Sequence, residues 1–318
     1  EKDPIPNHRE LLIGMGVEEN TLSAMEDEEQ TYVDSAREKM EAMPWPLGDT
    51  VRFGITSLHD ADSHQMQLDR LQSNLEKSES NIAPGEVTLT FSDEPNAWSY
   101  SRAIQNGMVA IAERYGSSTV FMGEDMEIAG AFGMNVPLKN QGHSDLLLDM
   151  PLSEAVIIHS ATGAALGGMR PVAEIQFGGF AALAMNALIN NAAQLRWRWG
   201  AEVPMIVRIP LGAKTRSGPF HANMIESWFL NDPGLVILFP SNPQDAYDLL
   251  VEGAALPDPV VYLEHIGMYG LRGGKTGWGD RIHMQVDTEN VSKHVESGDT
   301  YKIGRANIVR GGIDATIV

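Results

Sequence analysis

The sequence predicts an α/β protein, a parallel sheet with helices on both faces, preceded by a helical N-terminal extension. Three observations predict it. Helical patterns alternate with short apolar runs between residues 96 and 265. Each run is almost continuously apolar, as the strands of a parallel sheet covered on both sides must be. Residues 1–95, by contrast, are charged and polar, with helical spacing but little to fill a core.

In the extension, Leu22, Met25, Tyr32, Ala36 and Met40 fall at roughly helical spacing, and the pattern stops at Pro44-Trp45-Pro46. Leu47 to Pro95 is rich in Ser, Asp and Gln and reads as linker, with one helix near Met66–Leu75. The domain itself starts with an apolar helical face of Ile104, Met108, Ile111, Ala112 and Tyr115, followed by the strand-like Thr119–Met122. A helix over Leu152–Leu166, a strand over Pro171–Phe177, a helix over Phe180–Trp197 and a strand over Pro204–Ile209 follow. After a Gly-containing loop come a helix near Asn223–Leu230, a strand Val236–Phe239, a helix Pro243–Ala255 and a strand Pro259–Leu263. In such sheets ligands bind at the carboxyl ends of the strands. From about Gly267 the chain is Gly-rich, then polar, and it ends on two strand-like runs, Ala306–Arg310 and Ala315–Val318. The last has nothing after it to cover it, which reads as a truncated boundary.

Composition narrows the function. The chain has 318 residues, 43% of them hydrophobic, and a net charge of -20 from 43 acids and 23 bases. That balance argues against nucleic acid or an anionic membrane as main partner. Cysteine is absent, which excludes disulfides, thiolate metal ligands and a Cys nucleophile. Glu1-Lys2-Asp3-Pro4 lacks the features of a signal peptide. The longest uncharged run, Ile175–Leu195, carries Gln176, Asn186, Asn190, Asn191 and Gln194 and reads as a buried helix, not a membrane span. The expectation is a soluble, cytoplasmic protein.

Several motif classes fail. Gly274-Lys275-Thr276 would end a phosphate-binding loop, but the glycine that must open it is Tyr269. Gly163, Gly167 and Gly168 do not spell the dinucleotide fingerprint. The nine His form no pair at zinc-ligand spacing, and no Gly-x-Ser-x-Gly elbow is present. What remains is a set of single residues. Glu154 opens the 152–166 helix, a first-turn position that the helix dipole favours in any acid. His221 lies in a loop after a strand, where functional residues concentrate but solvated histidines are also common. Phe180 follows Gly178-Gly179 and by itself reads as core.

Together these segments resemble the beta part of the first, decarboxylating component of 2-oxoacid dehydrogenase complexes, a thiamine-diphosphate pyrimidine-binding-like domain. The resemblance runs through Met122-Gly123-Glu124-Asp125, Gly130-Ala131-Phe132-Gly133, Pro151-Leu152-Ser153-Glu154 and Arg170-Pro171-Val172-Ala173-Glu174. It continues in Asn190-Asn191-Ala192-Ala193, Trp228-Phe229, Pro233-Gly234-Leu235, Pro240–Ala246 and Asp258-Pro259-Val260-Val261. The first 46 residues resemble the carboxyl-terminal tail of the alpha part, and Ile303–Val318 resembles the entry to a C-terminal transketolase-like domain. The expected division is therefore an alpha-part tail and linker over 1–95, the pyrimidine-binding domain over 96–270, and a linker with the truncated start of the next domain over 271–318.

The resemblance implies roles. Glu154 matches the glutamate that hydrogen-bonds the aminopyrimidine ring of thiamine diphosphate, and Phe180 the aromatic residue packed on that ring. His221 matches an active-site histidine acting on substrate or acyl transfer, and Glu124 an acid in a buried route between paired active sites. Two positions depart from the family. Asn186 stands where an acid is usual, and Leu256-Pro257-Asp258 alters the potassium-binding segment. The Gly-Asp-Gly motif that holds magnesium and the diphosphate is missing, so another segment or chain must hold magnesium. The implied reaction is oxidative decarboxylation of pyruvate or a branched-chain 2-oxo acid, with acyl transfer to the lipoyl domain of a dihydrolipoyl acyltransferase. The implied assembly is a homo-oligomer that includes a diphosphate-binding alpha part. Acetoin dehydrogenase, transketolase-like carbon transfer, and a non-catalytic subunit that keeps the fold are the alternatives.

Overall fold

The computed structural model describes residues 4–43, 92, 94–212, 219–269 and 283–305. The expected Pro44–Pro46 stop, the Met66–Leu75 helix, the Gly270–Thr276 loop and the strand-like runs after 305 lie outside the described residues. The chain divides into two compact units, Glu1–Val51 and Arg52–Val318.

The first unit is a helical hairpin of α1 (Pro4–Gly14) and α2 (Glu19–Ala42), with Gly16 turning the chain at φ 93°. Arg9 joins the two helices through Glu26 and through the Ser23 hydroxyl at 2.9 Å. The expected stripe lies on α2, but Met25, Tyr32 and Met40 are exposed and α2 buries no residue. Among the described residues of this hairpin none is buried, so the pair has no core of its own.

Among the described residues, the first elements of the second unit are β1 (Trp98–Ser99) and α3 (Tyr100–Tyr115). The Ser99 hydroxyl caps α3 by accepting from the Arg102 amide, satisfying one of the orphan donors of the first turn. Then come β2 (Thr119–Gly123), α4 (Val136–Asn140), β3 (Leu147–Asp149), α5 (Glu154–Leu166) and β4 (Arg170–Glu174). The unit continues with α6 (Leu195–Trp199), β5 (Ile206–Leu211), β6 (Val236–Leu238), α7 (Pro243–Ala255) and β7 (Val260–His265). It closes with β8 (His283–Met284) and α8 (Glu289–Ser297). Among the described residues, six strands form a parallel sheet in the order β3-β2-β4-β5-β7-β6, and β1 pairs antiparallel with β8.

Alternate residues of each strand feed opposite cores, as the period of two requires. Val172, Ile206, Val260 and Tyr262 face the cluster built with α3, α7 and α8. Ala173, Val207, Val261 and Leu263 face the cluster built with α5 and the 178–194 segment. On the first face α3 and α7 come close because residue 107 is Gly: a Cβ there would lie 2.9 Å from a Leu250 methyl. The segment after α8 is fastened to α7 by Glu252, whose carboxylate accepts the amides of Tyr301, Lys302 and Ile303.

Two predicted helices are absent. Phe180–Trp197 is instead a 3₁₀ segment (Gly178–Ala184), a π turn (Asn186–Asn191), another 3₁₀ turn (Ala192–Gln194) and α6. Its buried residues are mostly alanines, so the backbone lies close to its neighbours; a Cβ at Gly234 would sit 2.0 Å from the Ala193 carbonyl oxygen. Asn190 donates to Asn186, and the Asn191 amide is hydrogen-bonded to His159 Nδ1. Apolar spacing cannot separate a regular helix from this mixture of windings. Likewise, Asn223–Leu230 holds a 3₁₀ turn at Glu226–Trp228. Ile225 and Phe229 are both buried, so their four-residue spacing reported burial alone.

Candidate active site

Functional groups gather at the carboxyl ends of β2, β4, β5 and β7. Glu124 directly follows β2, and Glu154 is the first residue of α5. Each is only 6% exposed. The two carboxylates are close enough to repel, and this contributes to a raised pKa at Glu124; burial is the largest cause, followed by Glu154, Asp125 and Glu174. One Glu124 oxygen, Oε1, is buried with no hydrogen-bond partner among the described residues. Burial and the neighbouring acids both favour the neutral form of this carboxyl over the charged one, relative to a carboxyl in water.

Phe180 and His221 also come together. Their rings lie 5.5 Å apart at 72°, and both meet Phe177, at 5.6 Å and 4.6 Å respectively. The imidazole therefore sits edge-to-face in an aromatic corner. Its Nδ1 is buried and has no partner among the described residues. Gly178 and Gly179 make the corner possible. A Cβ on either would press within 3.0–3.1 Å of Asn223, in the segment that follows His221. The described contacts do not join Glu154 directly to Phe180 or His221, although α5 packs on the Gly178–Ala184 segment. Asn186 is exposed and pairs with Asn190, and Asp258 is held by Arg196.

Sequence reasoning missed a third group. Arg208 on β5, fully buried, pairs with Glu174 on β4 at 2.6 Å and with Glu264 on β7 at 2.6 and 2.9 Å. Strand register places Glu174 beside Arg208, and Tyr262 on the other side. The Tyr269 hydroxyl donates to Glu264, and Glu174 accepts the Ala131 amide at 3.4 Å. Burial pushes the Glu174 pKa up, against the pull of Arg208, while Glu264 adds to the rise. Burial works against the charge on Arg208, but Glu264 and Glu174 outweigh it and raise its pKa. One signal was present: Glu174 ends β4, Arg208 stands inside β5 and Glu264 inside β7, and such charged residues are almost never fully buried unless paired.

The fold and this edge together define a class. The chain belongs to the family described as the transketolase pyrimidine-binding domain, matched over residues 96–270. Within it, the chain is similar to beta subunits of E1 components of 2-oxoacid dehydrogenase complexes and of related acetoin enzymes. It is 36% identical over 178 residues to the beta subunit of acetoin:2,6-dichlorophenolindophenol oxidoreductase of Cupriavidus necator, covering 55% of this chain and 47% of that one. It is 34% identical over 226 residues to the 2-oxoisovalerate dehydrogenase beta subunit of Bacillus subtilis, covering 69% and 62%. It is 35% identical over 204 residues to the pyruvate dehydrogenase E1 beta subunit of Acholeplasma laidlawii, covering 63% and 57%. The chain thus spans about half to three-fifths of these relatives. Among the described residues no helix is long and apolar enough to cross a membrane, and no group of three or more His, Asp or Glu is placed to hold a metal ion.

The upward shift at Glu124 has a measurable consequence. Its folded pKa lies above the ordinary value of 4.5, so its contribution to stability is fully present below that pH and is lost as pH rises through the raised value. Glu124→Gln removes this loss. The variant should therefore gain on the wild type as pH climbs from 4.5 to neutrality, in urea melts recorded across that window. Parallel stability–pH curves for the two proteins would rule out a raised pKa at Glu124.

Proposed function

We propose that this chain supplies the half-site that activates the aminopyrimidine ring of thiamine diphosphate in the oxidative decarboxylation of a 2-oxo acid. The observation that carries the reading is the burial of Glu154 at the start of α5 beside a second carboxylate, Glu124, that favours its proton. A nitrogen heterocycle that shares a proton fits such a pair, and the unpartnered Glu124 Oε1 and His221 Nδ1 leave polar capacity for a ligand and its waters.

Glu154 would hold the proton at the ring nitrogen, with Glu124 as the neighbouring acid that keeps total charge in the cleft low. Phe180, half-buried, offers a ring face for stacking. His221, backed by Phe177, is placed to donate to or accept from a substrate oxygen. When bound, thiamine diphosphate supplies the electron sink that loss of carbon dioxide from a 2-oxo acid needs. Magnesium and the diphosphate fall to a separate alpha part, and the acyl group passes to a lipoyl domain. Residues 1–46 are the end of such an alpha part, 96–270 the pyrimidine-binding domain, and 271–318 the approach to the next. Two copies joined in an oligomer would complete the paired sites.

The test is consumption of pyruvate, 3-methyl-2-oxobutanoate and acetoin by the complete protein, with 2,6-dichlorophenolindophenol as electron acceptor. The expected result is turnover of one 2-oxo acid that vanishes without thiamine diphosphate. Turnover of acetoin alone would replace the substrate class while keeping the cofactor. Absence of cofactor-dependent turnover on all three would end the enzymatic reading.

A further inference from the structure

The Arg208 cluster lies under the site without any assigned part in the chemistry. Two arms leave it. On one, Arg208 Nη1 donates to Glu174, whose other oxygen accepts the amide of Ala131. On the other, Nε and Nη2 donate to Glu264, which also accepts the Tyr269 hydroxyl. Both arms reach Phe132. It follows Ala131 in sequence, and its ring meets Tyr269 edge-on at 5.5 Å. Phe132 has φ 60°, a left-handed backbone that an aromatic residue keeps only where its surroundings impose it. The same ring meets Phe177 at 5.7 Å, and Phe177 lies 4.6 Å from the His221 imidazole.

We propose that Arg208 is a positioning residue: by fixing Glu174 and Glu264 it holds Phe132 in its left-handed turn, and Phe132, through Phe177, sets the orientation of the His221 ring. Its importance for chemistry rests on the function proposed above, but the ring geometry does not. Stability alone is a poor account of the cluster. Desolvation of one cation and two acids this deeply buried offsets most of their attraction. What the cluster does is link the segments after β2 and β7 to β4 and β5 in one arrangement, and the residue caught between its arms is the one that touches the wall behind the imidazole.

The test reads His221 itself, by NMR of the complete protein with ring-labelled histidine, the resonance being assigned by its loss in His221→Gln. Arg208→Lys and Tyr269→Phe should each displace the His221 signal. In a Phe132→Leu background the same two substitutions should displace it by less than half as much, since the link is cut. His294, stacked on Tyr301 and joined to Arg208 by no described contact, should hold its position throughout. A His221 signal that neither substitution moves, or that moves as far with Phe132→Leu present, would overturn the proposal. Should Arg208→Lys fail to fold, Glu174→Gln and Tyr269→Phe, each cutting one arm that leaves Arg208, decide in its place, and a His221 signal that neither moves overturns the proposal. Activity is not read, so failure of the functional reading leaves this result interpretable, and the reverse also holds.

Discussion

Glu154→Gln is expected to lower the decarboxylation rate of the assembled protein by roughly 10²–10⁴-fold, the range spanned by loss of a positioned acid–base group. Glutamine keeps the shape and one carbonyl acceptor, so the cleft should persist, but it cannot share a proton with a ring nitrogen. Affinity for thiamine diphosphate should suffer less than turnover, because the interaction matters most where charge develops. Melting temperature is the control. Glu154 sits in the first turn of α5, where the helix dipole favours a negative charge, by roughly 0.3–1 kcal/mol at an exposed site. A small drop in stability with a large drop in rate marks a functional acid. A rate within twofold of wild type would leave Glu154 as a helix-end residue and nothing more.

The sheet was legible in the sequence because its physics is local and repetitive. Val260-Val261-Tyr262-Leu263 can hardly be anything but a strand covered on both faces, and β7 is that strand. The three-residue β3 escaped notice because Leu147-Leu148-Asp149 carries too few residues to set a period. Phe180–Trp197 misled for a different reason. A backbone that winds as 3₁₀, then π, then α turns its apolar residues inward almost as a regular helix does, so the pattern hides the winding. The individual candidate residues were visible only through family resemblance. In isolation Glu154 is an ordinary first-turn acid, and His221 an ordinary loop histidine. What brings Glu124 beside Glu154, and Phe177 behind His221, is the meeting of segments far apart in the chain. The charges inside β4, β5 and β7 were the legible clue left unused. An arginine flanked by Val207 and Ile209 on a buried strand requires a counter-charge on an adjacent strand, and glutamates supply it on both sides.

That requirement sets the largest stability effect expected here. Arg208→Met should destabilise the protein by about 3–5 kcal/mol at neutral pH, because it leaves Glu174 and Glu264 buried with no cation between them. The loss should depend on pH in a definite direction. Burial already raises the Glu174 pKa against the pull of Arg208, so without the guanidinium that acid would bind its proton more tightly still in the folded state. Stability would then be retained at low pH, where the Glu174 carboxyl is protonated, and lost as pH rises through its elevated pKa. Urea denaturation at several pH values measures this, and the gap between variant and wild type should widen toward alkaline pH. The triple replacement Glu174→Gln, Arg208→Met, Glu264→Gln separates a missing attraction from a stranded charge. With no ion left, the desolvation cost disappears, and Tyr269 can still donate to the new amide carbonyl at position 264. Most of the lost stability should return, since whole buried ion groups are often exchanged for neutral ones at little cost. A triple variant no more stable than Arg208→Met would mean that the guanidinium stabilises this domain by its attraction to the two acids and not merely by neutralising them.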